Sequence, residues 1–189
     1  MVTTKAKLLT VAASVVFLMS FIGANHVSAK PPLKPPAEFV VVREMAKKEA
    51  CVEQIARLAP LYAVPVDLAV AIHLHETMGG TVLYAEEPTL TNRVTRMANN
   101  PNERKMLASA HGCMHVTGVT LRDMGLHWSE AYGEQGTEAG LHKLKKMLEL
   151  TKGDKPRAVC KFNGNCKPSY VPSVYAQLPK ARKLIEKIG

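Results

Sequence analysis

The chain has 189 residues and carries 25 Lys and Arg against 16 Asp and Glu, a formal charge of +9. That length supports one domain with a real core and excludes two ordinary ones. The positive balance calls for an anionic partner without saying which.

Residues 1–29 have the form of a secretory signal peptide: Lys5 and Lys7, an uncharged run from Leu8 to Ala24, then Val27-Ser28-Ala29 as a small-x-small cleavage site. A single anchoring helix is the rival, although Thr10, Ser14 and Ser20 interrupt a run already near the minimum for spanning a bilayer. Cleavage after Ala29 predicts an exported protein, periplasmic or extracellular. Removing Lys5 and Lys7 leaves 23 basic residues against 16 acidic ones. In that setting the anionic partners are cell-wall polymers and membrane surfaces, and nucleic acid is not expected.

Residues 30–39 open with KPPLKPP, an extended proline-rich spacer that cannot be helical. From Val41 to Leu58 the apolar Val41, Met45, Val52, Ile55 and Leu58 recur at helical intervals among charged residues, which predicts an amphipathic first helix. The next stretch, Tyr62 to Thr77, reads YAVPVDLAVAIHLHET. Pro65 fixes φ for a first helical turn, Asp67 suits the positive end of the helix dipole, and Leu68, Ile72 and Glu76 repeat on one face. Gly79 and Gly80 stop this helix and leave Glu76 at the edge of an apolar core. Apolar surroundings favour the uncharged form of a carboxylic acid, which is what a general acid needs.

Thr81 to Arg104 is polar and irregular and is expected to be a long loop with short helical pieces, of the kind that serves function. Within it Glu86 and Glu87 are the nearest candidates for a second acid. Gly112 to Gly125, GCMHVTGVTLRDMG, predicts a glycine turn and a helix from about Thr117 to Met124. Helices are expected in Ser129 to Leu150, broken near Gly133 to Gly136, in Lys155 to Phe162, and in Tyr170 to Ile188, where Pro172 and Pro179 shorten or kink the last. Without a convincing period-two run, the fold class is mainly α, with residues 40–189 as one domain.

Four cysteines, Cys51, Cys113, Cys160 and Cys166, suggest two disulfides in an exported chain. Three connectivities are possible. The Asn163-Gly164-Asn165 turn signal favours Cys160 with Cys166, leaving Cys51 with Cys113. No metal or other cofactor is expected: paired C-x-x-C elements are missing, and the H-E-x-x-H pattern fails because Gly79 stands where a histidine is required.

Tyr62 to Thr77 resembles, without a gap, the helix of soluble-lytic-transglycosylase-type domains, Y-G-V-D-P-x-L-L-x-A-I-x-x-x-E-S, with Glu76 on the catalytic glutamate. Gly112 to Gly125 is similar to the family's G-L-M-Q-L-M-P-x-T-A-x-x-L-G at Gly112, Met114, Thr120 and Gly125. Phe162-Asn163-Gly164 and Tyr170-Val171-Pro172-Ser173-Val174 resemble Y-N-A-G and Y-V-x-x-V. The motifs come in the family's order.

The resemblance implies a lysozyme-like helical domain with a cleft for peptidoglycan strands. It also implies one glutamate that cleaves the bond between N-acetylmuramic acid and N-acetylglucosamine and leaves a 1,6-anhydro end. One acid then suffices, where ordinary retaining glycosidases need a second carboxylate. By position Thr77 offers a hydroxyl to Glu76 or a sugar, Met114 an apolar wall, His115 hydrogen bonds in place of a glutamine, Asn163 an amide for the acetamido group, and Tyr170 a further substrate contact. Phe162 departs from the family by lacking a tyrosine's hydroxyl, and the segment between Glu76 and Gly112 is longer than in usual members. The alternatives are a catalytically weakened module that binds peptidoglycan as a scaffold or targeting protein, and an unrelated disulfide-stapled binding protein. A secretion, conjugation or other envelope-spanning assembly is a further expected partner.

Overall fold

The computed structural model of the chain describes residues 48–164 and 166–189. The expected signal peptide at 1–29, the spacer at 30–39 and the start of the first helix at Val41 and Met45 lie outside the described residues.

The fold is mainly helical. Helix α1 (Lys48–Leu58) buries Val52, Ile55 and Leu58, the described part of the stripe its spacing predicts, and with them Cys51. A 3-10 turn (Ala59–Tyr62) follows, and Ala63, in the left-handed region at φ 54°, reverses the chain. Pro65 stands at the N-cap of α2 (Val66–Glu76), where its missing N–H costs nothing. Every residue from Leu68 to Leu74 is buried, so α2 is covered all round and runs through the centre, with α1, α8 and α9 packed on it. Each fully buried Leu or Ile contributes about 1.5–3 kcal/mol. At the N-terminal end Asp67 Oδ2 accepts from Arg182 Nε and Nη2 at 3.1 and 3.0 Å. One cation of the basic C-terminal segment thus meets both a carboxylate and a helix end.

A three-stranded antiparallel sheet comes next, in the order β1 (Tyr84–Glu86), β2 (Ser109–His111), β3 (Val116–Thr117), with Tyr84 opposite His111 and His111 opposite Val116. Strands of three, three and two residues are too short to show an alternation, which is why the sequence predicts none. The expected loop over 81–104 instead holds β1, α3 (Pro88–Val94) and the start of α4 (Pro101–Leu107), each helix opened by a proline. Asn100 caps α4 by accepting from Glu103 N at 2.9 Å. Val94, Leu107 and Ala108 join Val119 of α5 (Gly118–Asp123) in a small second core separate from the one around α2.

A 3-10 helix (Trp128–Tyr132) leads into α6 (Glu134–Leu150); Gly133 makes the break, while Gly136, expected to share it, lies inside the helix. Then follow α7 (Lys155–Asn163), α8 (Tyr170–Tyr175) and α9 (Leu178–Ile185). The single final helix expected over Tyr170 to Ile188 is therefore two. Pro179, which has no N–H to give to the carbonyl of Tyr175, stands in the first turn of the second.

Cys51 is bonded to Cys113 across 5.5 Å between Cα atoms, and Cys160 to Cys166 across 4.9 Å. Two disulfides are the chemistry of an oxidising compartment. Among the described residues no helix is long and apolar enough to cross a membrane.

Candidate active site

Glu76 is the last residue of α2, and the backbone beyond it turns sharply. Thr77 N–H returns to His73 O, Met78 takes φ 51°, and Gly79 N–H reaches Leu74 O at 2.7 Å. The carboxyl thus stands where the central helix ends, 18% exposed, in a cleft of about 520 Å³. The opposing wall is the turn between β2 and β3. Gly112 sits there at φ 73° against the Ala131 carbonyl, where a Cβ would collide with backbone. Two links hold this turn to the central helices: the Cys51–Cys113 disulfide, and His73 Nδ1–H, which donates to Cys113 O at 2.7 Å.

Each oxygen of Glu76 has its own neighbour. The Tyr170 hydroxyl donates to Oε1. Burial first, then the charge of Glu76 and this hydrogen bond, push the phenol's pKa well above its ordinary value, while the neighbouring Asn163 side chain works the other way. The phenol therefore remains a donor at any physiological pH. His75 sets its ring edge-on to Tyr170, with centroids 5.1 Å apart. Oε2 lies 3.8 Å from His115 Nδ1, too far for a hydrogen bond. His115 Nε2 is 2.9 Å from Val82 O, a carbonyl that can only accept, so Nε2 carries the hydrogen. Burial holds the His115 pKa below its ordinary value against the opposing pull of Glu76, and the neutral ring turns a lone pair on Nδ1 towards Oε2. Oε1 thus accepts from Tyr170, while Oε2 has no hydrogen-bond partner among the described residues.

Three cations and a second carboxyl share the cleft. Lys143 of α6 lies over the Phe162 ring, Nζ 4.6 Å from its centroid. Burial lowers its pKa and the charge of Glu76 partly restores it. Arg93 of α3 and Lys167, between α7 and α8, stand exposed on the walls. Glu87 lines the cleft at the head of α3, its pKa raised by burial and by Glu76 and lowered by Lys167. Glu86, one residue earlier, is paired with Lys105 at 2.6 Å and does not line the cleft. Among the described residues no cluster of three His, Cys, Asp or Glu side chains is placed to hold a metal ion.

Of the residues singled out from the sequence, Glu76, His115, Phe162, Asn163 and Tyr170 line this one cleft. Thr77 does not: it is fully buried, its hydroxyl donates to His73 O at 2.6 Å and accepts from Gly80 N at 2.8 Å, and it serves the helix end instead of Glu76 or a sugar. Met114 is also fully buried, against Gly140 of α6, so it fills the core instead of forming an open wall. Lys143 and Arg93 gave no signal in the sequence, because a lysine or arginine at helical spacing reads as a solvated face, and a lone Lys167 in a connection reads the same way. Comparison with protein-family models, with characterised proteins and with solved structures finds no match.

Proposed function

We propose that the protein cleaves the glycan strands of peptidoglycan as a lytic transglycosylase, with Glu76 as its one acid and base. The observation that carries this is the convergence of segments far apart in the chain on one carboxyl. Glu76 ends the central helix, His115 faces Oε2, Tyr170 donates to Oε1, and Asn163 lines the same cleft. A lysozyme-like arrangement belongs to the same reading, and a helical body with a small antiparallel sheet beside the cleft supports it.

The proton on Oε2 passes to the glycosidic oxygen between the two amino sugars, and the bond to the muramoyl C1 breaks. Positive charge then develops on the ring, and the acetamido oxygen of the same sugar supports it. Glu76, now a carboxylate, is held by the Tyr170 hydroxyl. It next takes the proton of the C6 hydroxyl, whose oxygen closes on C1 to give the anhydro end and returns the acid to its starting state. Phe162 offers no hydroxyl here, and that of Tyr170 meets the need from α8.

Mass spectrometry of purified sacculi digested with wild type and Glu76→Gln tests the reading. Anhydro ends from wild type and none from the variant, with both equally folded, are expected. Equal release by both would remove Glu76 from the mechanism. Retention on sacculi with no turnover would select a glycan-binding module, and reducing ends would make the enzyme a hydrolase.

A further inference from the structure

The cleft has an excess of positive charge that acid–base chemistry at Glu76 does not use. Lys143 has a partner in the Phe162 ring. Arg93 and Lys167 have no ion-pair partner among the described residues, although other surface cations find one: Arg57 with Glu134, Lys105 with Glu86, Lys145 with Glu149 and Arg182 with Asp67. Lys167 is near enough to Glu87 to lower its pKa, yet the two form no ion pair. The walls present three cations, Arg93, Lys143 and Lys167, against the two carboxyls Glu76 and Glu87. Arg93 comes from α3, on the segment between Glu76 and Gly112.

Covering exposed cations with a neutral sugar chain would strip their water and return only neutral hydroxyl and acetamido acceptors, about half as strong as charged ones. A ligand that carries carboxylates replaces that water with charge-assisted hydrogen bonds, and a guanidinium offers them in pairs. We infer that Arg93 and Lys167 form an anion-reading pair that selects strands whose muramoyl sugars bear carboxylates over neutral polymers of N-acetylglucosamine, an inference that rests on reading the cleft as a glycan site. The carboxylates have two sources: the stem peptide, or the lactyl acid that remains when the peptide is removed.

The test uses the Glu76→Gln chain, which holds ligand without consuming it, and three probes: peptide-bearing strands, amidase-treated strands with free lactyl acids, and chitohexaose as the neutral control. Calorimetric titration is expected to rank both acidic probes about tenfold or more above chitohexaose at low salt. Added singly, Arg93→Gln and Lys167→Gln are each expected to weaken acidic-probe binding about fivefold and to bring the ratio of acidic to neutral affinity towards one. Tighter binding of peptide-bearing strands assigns the pair to the stem, and of amidase-treated strands to the lactyl acid. Equal affinity for all three probes, or an unchanged ratio in both variants, would overturn the inference and leave cleavage of sacculi by the Glu76 protein untouched. If that protein neither binds any probe nor cleaves sacculi, the inference falls together with the proposed function.

Discussion

At the scale of single residues, the division of labour around Glu76 makes Tyr170 the most informative side chain to change. Tyr170→Phe keeps the ring that packs beside His75 and removes only the hydroxyl on Oε1. Release of anhydromuropeptides should fall about tenfold or more in kcat, with KM little changed, because the donor matters most when the carboxylate appears. A second residue reports on stability. His111 is buried, its Nε2–H donates to Met106 O at 2.8 Å, and its Nδ1 accepts from the Tyr132 hydroxyl at 3.1 Å. Burial pulls its pKa from 6.5 down to about 4. The native state therefore keeps this ring neutral while the unfolded chain takes up a proton below pH 6.5. Its contribution is fully present above that pH and is lost as pH falls towards 4, about 2 kcal/mol by pH 5. Urea unfolding from pH 7.5 to 5 should show the loss, and His111→Gln should flatten it. Neither role could be read from sequence: Glu76 was legible as a carboxyl at a helix end, whereas a histidine between Ala110 and Gly112 gives no hint of which carbonyl will meet it.

At the scale of elements, the turn between β2 and β3 is the least self-sufficient part of the site. Its strands have three and two residues, short of what makes a hairpin stable alone. The Cys51–Cys113 bond, closing 62 residues of separation, and the His73 hydrogen bond make up for that. Replacing both cysteines by alanine should lower stability by about 4 kcal/mol in the chain-entropy account, measured by denaturant unfolding. Activity should drop further than global unfolding explains, since His115 rides on the released turn. The helices were legible because their apolar spacing is local; the sheet and the caps of α4 were not, because a three-residue strand is defined by its neighbours. The division of the last helix is an intermediate case. Pro179 is visible in the sequence, but whether it kinks or ends a helix depends on what α2 asks of the two halves.

For the whole molecule, the charge balance and the cleft point the same way. Without residues 1–29 the chain has 23 basic residues against 16 acidic ones; on the proposed reading it acts in a wall whose polymers are acidic, and part of the attraction acts at long range. Retention on purified sacculi should weaken steeply as ionic strength rises from about 0.02 M to about 0.5 M, over which the screening length shrinks several-fold. Glu76→Gln should show the same salt dependence as wild type, since the steering charges lie elsewhere. This scale was the most legible in part, because net charge and cysteine count need no fold. The location of the cations was not, since only the packing of α3 and the α7–α8 connection brings Arg93 and Lys167 to one groove.

The bond between Cys51 and Cys113 has a consequence for timing. A newly made chain bathed in glutathione would hold its glutamate in place but leave the facing histidine loosely tethered. Ripening of the groove would wait on an oxidant, and the two walls would meet in fixed register only once the thiols have been joined.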